Sequence, residues 1–383
     1  MCLYVDITGI NQFFFEKRIN FATESLNLNF FNHKRKYIVN MDSKNCFSDL
    51  WQLIGNTPMV ELHYRYKGKP GKIYAKVEYY NYSGSIKDRM ALYILQKAYQ
   101  TGQIKPTDTI VEATSGNTGI SFAAVGRALG HKVKIIMPEW LSKERKDILR
   151  SLGAELVLVS KDDGGFLGGM HICEELAKQD GIFLPCQFEN ENNINEHAHT
   201  TAREIELQLA SIGLKPDGIV SGVGTGGTIM GVGRYIKSVY PNAKICPIEP
   251  AESPILSKGF KCGSHRIQGF TDEFVPRIVQ LDKLNEIIQV SDGDSIIAAQ
   301  KMAKQLGLAV GISSGCNVVG AIKLKEKLGD NAVVTTFLPD DNKKYLSTDL
   351  VCEEPMKDEY VSKDLVFEGF RTIKRLSDSI VPQ

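Results

Sequence analysis

From Lys72 to Phe337 short β-branched runs alternate with helix-length stretches, and this alternation constrains the fold more than any other feature of the chain. The pattern predicts strands at Lys72–Val77, Thr109–Glu112, Lys132–Met137, Glu155–Val159, Gly218–Ser221, Ala243–Ile248 and Ala332–Phe337. Between them it predicts helices at Ser85–Thr101, Asn117–Leu129, Ser142–Ser151, Gly168–Gln179, Thr200–Ile212, Thr228–Ser238 and Ser291–Gln305. Strands of this length separated by helices imply βαβ units, because neighbouring parallel strands need a long crossover. The expected class is α/β, with a mainly parallel twisted sheet covered by helices in each of two domains and a cleft between them. The expected limits are a poorly ordered extension over 1–40, an N-terminal domain over 41–190, a C-terminal domain over 191–350 and a surface tail over 351–383.

Composition narrows the functional classes. A chain of 383 residues with 43% apolar and 24% charged residues can bury a large core. The formal charge of +1, with both signs interspersed, implies neither a nucleic-acid face nor a polybasic membrane anchor. No apolar run approaches the roughly 20 residues that span a bilayer, and the Phe-rich start lacks the pattern of a secretory signal. Eight scattered cysteines without metal-ligand spacing read as reduced thiols of a cytoplasmic protein that uses no metal.

Three glycine- and hydroxyl-rich segments carry the chemistry. The first is Ser83-Gly84-Ser85-Ile86-Lys87-Asp88-Arg89, a capping turn that places Lys87 near a helix N-terminus. The macrodipole disfavours an ammonium there, so Lys87 is either a solvated surface group or is neutralised as an imine with an aldehyde cofactor. The second is Thr114-Ser115-Gly116-Asn117-Thr118-Gly119, between a strand and a helix, where N–H groups and hydroxyls can receive a carboxylate or phosphate. The third, Gly222-Val223-Gly224-Thr225-Gly226-Gly227-Thr228, forms a nest of backbone donors suited to phosphate. It also matches G-x-G-x-x-G with Glu249 some two dozen residues later, which keeps a nicotinamide-dependent oxidoreductase open as a rival. Ser314, in Gly311-Ile312-Ser313-Ser314-Gly315, is either a helix cap or a partner for a ring nitrogen. A lysine combined with two anion cradles points to pyridoxal 5'-phosphate.

From Ile54-Gly55-Asn56-Thr57-Pro58 to Tyr345-Leu346-Ser347-Thr348 the motifs, in order, resemble fold-type II pyridoxal phosphate enzymes of the cysteine synthase and cystathionine β-synthase family, whose fold is like that of the tryptophan synthase β-subunit. The resemblance implies that Lys87 is the Schiff-base lysine, that Asn117 meets the cofactor's 3'-oxygen, that Gly224, Thr225, Gly226, Gly227 and Thr228 hold the phosphate, and that Ser314 meets the ring nitrogen. It further implies that Thr114, Ser115, Thr118 and Gln187 bind the carboxylate of a small amino acid, and that the protein is a homodimer. The chain lacks room for the paired regulatory domains of animal cystathionine synthases, so an unregulated enzyme is expected.

One segment departs from the family. Gly269-Phe270-Thr271-Asp272-Glu273-Phe274-Val275-Pro276 carries Asp272 where the family commonly has a small or aromatic residue. In the family this loop lines the pocket that receives the second substrate. A carboxylate there repels hydrosulfide and can hold and deprotonate water, while a loop residue turned to solvent is the bland alternative. This departure favours the sulfide-producing, cysteine hydroxyl-lyase branch: L-cysteine releases sulfide, and water adds to the aminoacrylate to give L-serine, with Lys87 and Asp272 catalytic. Cysteine synthase, using O-acetylserine and sulfide, and cystathionine β-synthase are the alternatives within the family.

Overall fold

A computed structural model describes residues 43–271 and 273–377. Asp272 and the expected extension over 1–40 lie outside the described residues. Clustering of contacts separates Met1–Cys46 from Phe47–Gln383, and the fold described here is that of the second unit.

The strands form two sheets. β1 (Met59–Tyr66), β2 (Lys69–Val77), β7 (Gly218–Gly222), β8 (Lys244–Pro250), β9 (Ile288–Val290), β10 (Val334–Leu338) and β11 (Leu365–Ile373) make a seven-stranded sheet in the order β11-β1-β2-β10-β7-β8-β9. β3 (Thr109–Ala113), β4 (Lys132–Pro138), β5 (Glu155–Val159) and β6 (Ile182–Phe183) make a parallel four-stranded sheet in the order β5-β4-β3-β6. The α/β class expected from the alternation is the observed one, and predicted strand and helix bounds agree with the observed ones to within a few residues.

Two features correct the expected organisation. The sheets do not follow a division into consecutive sets at residue 190, because β2 pairs in parallel with β10, at the other end of the chain. The last five residues of β2, Ile73–Val77, are buried, and a strand buried on both faces belongs inside a large sheet. The second correction concerns the expected surface tail: Leu365–Ile373 pairs antiparallel with β1 and covers that edge. β1 and β2 are joined through Lys67 and Gly68, both at positive φ (49° and 76°), the backbone a two-residue hairpin turn requires.

β10 is buried along its whole length and lies at the centre of the larger sheet. Around it Val334 and Leu338 pack with Val77, Val220, Ile248, Val318 and Ile322 in one apolar cluster. The carboxyl ends of β3, β7 and β10 lead into the 114–119 loop, the 222–228 loop and Asp340, which is the placement expected of a ligand site in a parallel α/β sheet.

Candidate active site

Lys87 is the first residue of the helix Lys87–Thr101, and its backbone N–H donates to Ser85 Oγ at 3.3 Å. The turn Ser83-Gly84-Ser85 leads into the helix as expected, but the N-cap position is Ile86 and no side-chain capping bond is made there. The Lys87 side chain lines a small cavity of about 100 Å³. Among the described residues no hydrogen bond or ion pair reaches the Lys87 ammonium. Burial pushes its pKa down to about 8, opposed by the charges of Asp340 and Glu196. A half-buried, unpaired amine of this kind has the reactivity expected of an imine-forming lysine.

Thr114, Ser115, Asn117, Thr118, Gln187, Gly224 and Thr225 line the same cavity. The sequence-predicted residues therefore meet, although they come from segments more than a hundred residues apart. Thr114 Oγ1 accepts from the Gly116 N–H at 3.0 Å, which folds the loop back on itself at the start of the helix Asn117–Ala128. Thr118 Oγ1 donates to Gln187 Oε1 at 2.7 Å, and Gln187 Nε2 donates to the carbonyl of Ala113 at 2.9 Å. Both Thr118 and Gln187 are buried, so their polar ends are held in one orientation. The preceding residue, Cys186, sits at φ 55°, and Glu112 beneath it has its carboxyl pushed up to about 8 by burial.

The 222–228 loop is closely packed. A Cβ on Gly224 would meet the Gly269 carbonyl oxygen at 2.2 Å, and one on Gly227 would meet Asn193 Oδ1 at 1.9 Å. Gly226, at φ 91°, turns the chain into the helix Gly227–Val239. Thr225 Oγ1 accepts from Asn193 Nδ2 at 2.9 Å, and Thr228 Oγ1 lies 3.3 Å from His197 Nε2. Gly226, Gly227 and Thr228, by contrast, are not among the residues that line the cavity. Ser314 is likewise fully buried, in the first turn of the helix Ile312–Leu328, and its Oγ has no partner among the described residues.

These observations fit pyridoxal phosphate: an unpaired lysine, an orphaned buried hydroxyl at Ser314 and a glycine nest at a helix N-terminus are the three contacts its aldehyde, ring nitrogen and phosphate need. They do not fit the dinucleotide fingerprint. Glu249, which would have to meet a ribose, is buried and already accepts from the Ser257 N–H at 3.0 Å and from Gln289 Nε2 at 3.0 Å.

Sequence reasoning missed several residues of the site. Arg145, Phe166, Phe188, Phe270, Phe274 and Tyr345 also line the cavity. Arg145 is 2% exposed, lies against the Tyr345 ring at 4.8 Å and donates to Gln268 at 2.6 Å. Asn193, buried between the Gln187 carbonyl and Thr225, ties two of the predicted loops together. Of these, Tyr345, Phe270 and Phe274 carried a sequence signal, through the motifs in which they stand. Of the departing loop, Thr271 and Glu273 line the cavity, and Glu273 pairs with Lys261 at 2.6 Å.

Residues 50–340 match the family described as pyridoxal-phosphate dependent enzyme, and the chain belongs to that family. It is a pyridoxal phosphate-dependent enzyme of the cysteine synthase group. A cysteine synthase of Staphylococcus aureus is 42% identical over 79% of this chain and 96% of its own. Among solved structures, a hydrogen sulfide-producing enzyme of Fusobacterium nucleatum is 51% identical with a TM-score of 0.85, covering 86% of this chain and 99% of its own. A cysteine synthase of Entamoeba histolytica is 34% identical with a TM-score of 0.74, covering 82% of this chain and 94% of its own. Among the described residues no helix is long and apolar enough to cross a membrane.

Proposed function

We propose that this enzyme releases hydrogen sulfide from L-cysteine and adds water at the same carbon, so that L-cysteine and water give L-serine and hydrogen sulfide. The observation that carries the proposal is the acidic loop: Thr271 and Glu273, on either side of Asp272, line the cavity that Lys87 enters. Bound pyridoxal phosphate supplies an electron sink that acidifies the α-proton of an attached amino acid. Thr114, Ser115, Thr118 and Gln187 hold the substrate carboxylate, the mutual bond of Thr118 and Gln187 keeping those two in a fixed direction. Lys87 takes the proton from Cα; with a pKa near 8 the free amine is poised close to neutrality, where a general base is most effective. Asp272 holds the water and takes its proton as the oxygen bonds to Cβ, and Lys87 returns a proton to Cα. Phe166, Phe188, Phe270 and Phe274 limit the entry of further water.

Support comes also from the Fusobacterium nucleatum hydrogen sulfide-producing enzyme, an aspartate-to-asparagine mutant of which was solved with an α-aminoacrylate intermediate. That is the species expected to persist when a carboxylate that serves water addition is lost. We further propose that the protein is a homodimer, and that the two sheets mark two domains with the site between them.

A second reading, synthesis of cysteine from O-acetylserine and sulfide, is favoured by the cysteine synthases that are similar to 79% of this chain. The deciding experiment incubates purified enzyme with L-cysteine alone, with L-cysteine plus homocysteine, and with O-acetyl-L-serine plus sulfide, and measures sulfide, serine, pyruvate, cysteine and thioether together. Sulfide and serine in equal amounts from cysteine alone support the proposal. Cysteine as the dominant product from O-acetylserine, without serine from cysteine, supports the second reading. Asp272→Ala should lower serine yield by roughly a hundredfold, with pyruvate in its place; an unchanged yield removes Asp272 from the mechanism.

A further inference from the structure

Asp340 is the point where the segments bearing three proposed cofactor contacts converge. It follows the central strand β10 by two residues and is fully buried. Its backbone bridges Ser85, two residues before Lys87, and the neighbouring Pro339 carbonyl accepts from the Ile86 N–H at 2.9 Å. Its own carbonyl accepts from the Gly311 N–H at 3.1 Å, three residues before Ser314. Its side chain accepts from Asn117 Nδ2 at 2.7 Å and from the Tyr345 hydroxyl. Position 311 must be glycine for this arrangement, since a Cβ there would stand 2.3 Å from Asp340 Oδ1.

The chemistry of the pair sets the direction of the Asn117 amide. Asp340 Oδ2 accepts from the Tyr345 hydroxyl and from Asn117, so Asn117 turns its NH₂ group toward Asp340, and Asn117 Oδ1 is left buried without a partner among the described residues. The second N–H of that NH₂ group remains free for a ligand oxygen. Without Asp340 the amide has no reason to prefer this orientation over the flipped one, which would aim a carbonyl oxygen at an oxygen of the ligand and repel it.

We propose that Asp340 is a positioning residue for the cofactor: it turns Asn117 so that an N–H meets the cofactor's ring oxygen, and, from the segment that pairs with Ser85 and Ile86, it sets negative charge near the turn that carries Lys87. The charged groups around the pair come from several elements. Asp340 and Glu196 oppose the fall of the Lys87 pKa, while Lys344 and Arg145 favour the Asp340 carboxylate against the burial that raises its pKa. Burial also pushes the Tyr345 hydroxyl far above its ordinary pKa, so it stays protonated and remains a donor to Asp340.

The inference rests on Lys87 as the lysine that holds the cofactor, a reading tested separately by borohydride reduction and peptide mapping of the parent protein. The test itself measures two quantities in Asp340→Asn: affinity for pyridoxal 5'-phosphate by fluorescence titration, and the pH at which the visible band of the lysine-bound cofactor is half lost. Affinity should fall roughly tenfold, as expected for loss of a charge-assisted hydrogen-bond network. The pH midpoint should fall by about one unit, because a cation that loses a nearby negative charge gives up its proton more readily. A purely structural role for Asp340 predicts weaker binding without the shift. Asn117→Ala provides an independent arm: affinity should fall, but the midpoint should not, since Asp340 keeps its charge. Unchanged affinity and midpoint in a folded Asp340→Asn protein, or a midpoint lowered in Asn117→Ala, would overturn the proposal.

Discussion

Lys87 and Arg89 stand two residues apart at the start of one helix, and the structure treats them in opposite ways. Arg89 is fully buried and fully matched. Its guanidinium pairs with Glu78 at 2.7 Å and with Glu204 at 2.7 Å, while Lys76 pairs with Glu204 at 2.7 Å and Thr57 donates to Glu78 at 2.8 Å. Two cations face two carboxylates, every arm of the guanidinium is used, and the Arg89 pKa rises well above its ordinary value. Lys87 has no such partner and its pKa falls to about 8. The lesson is that burial alone does not decide what a cation does: a neutral cluster locks the helix in place, whereas an ammonium left unpaired two residues away is kept reactive.

The comparison can be broken in four ways. The largest effect is expected from Lys87→Ala, which should abolish the visible cofactor band and lower turnover by at least about a thousandfold; retained turnover would reject the whole reading of the site. Arg89→Met should instead destabilise the fold by about 3–5 kcal/mol, because it strands the buried Glu78 carboxylate and leaves Glu204 with Lys76 alone. Denaturant unfolding measures this, and a loss below about 1 kcal/mol would show that the cluster is not a lock.

The third test concerns the cost of leaving Lys87 unpaired. Its folded-state pKa lies below the ordinary 10.5, so below about pH 8 the cofactor-free fold carries a half-buried ammonium, and that cost disappears as pH rises from about 8 toward 10.5. Stability of the cofactor-free parent should therefore rise with pH across this window. Lys87→Met should flatten that rise and, at pH 7, be more stable than the parent by up to about 3 kcal/mol. Equal stability of the two proteins at pH 7 would mean that Lys87 is not strained by burial.

The smallest contrast is between two buried hydroxyls. Thr57→Val, in the matched cluster, should cost about 1–3 kcal/mol, since it leaves Glu78 and Arg89 short of a partner. Ser314→Ala removes an oxygen with no partner and should change cofactor-free stability by less than about 0.5 kcal/mol, while weakening pyridoxal phosphate binding. A large loss of stability in Ser314→Ala would show that its hydroxyl has a structural task.

Much of this was legible in the chain. Alternation of strand and helix lengths marked β3, β4, β5, β7, β8 and β10 and their helices, because local periodicity reports local structure. The hairpin strand β1 escaped notice although its pattern alternates, with Val60, Leu62 and Tyr64 buried and Glu61, His63 and Arg65 less so, because its turn is only Lys67-Gly68. β11 escaped for a different reason, since Leu365–Ile373 is largely exposed and becomes a strand only by pairing with β1. At the site, Lys87 and the two loops announced themselves through glycine and hydroxyl spacing. Arg145, Asn193 and Asp340 did not, because a charged or amide residue in a helix or loop looks the same in sequence whether it faces solvent or a buried partner.

By itself the sequence determined the α/β class and, through one lysine and two glycine- and hydroxyl-rich loops, pointed to the cofactor, all of which rest on local spacing that a linear pattern preserves. The tertiary structure decided which sheet each strand joins, which cation is matched and which is left free, and which way Asn117 faces. Those outcomes depend on contacts between residues as far apart as Arg89 and Glu204, or Asn117 and Asp340. Electrostatics and amide orientation are properties of such pairs, and they exist only once folding has brought both members together and removed the water between them.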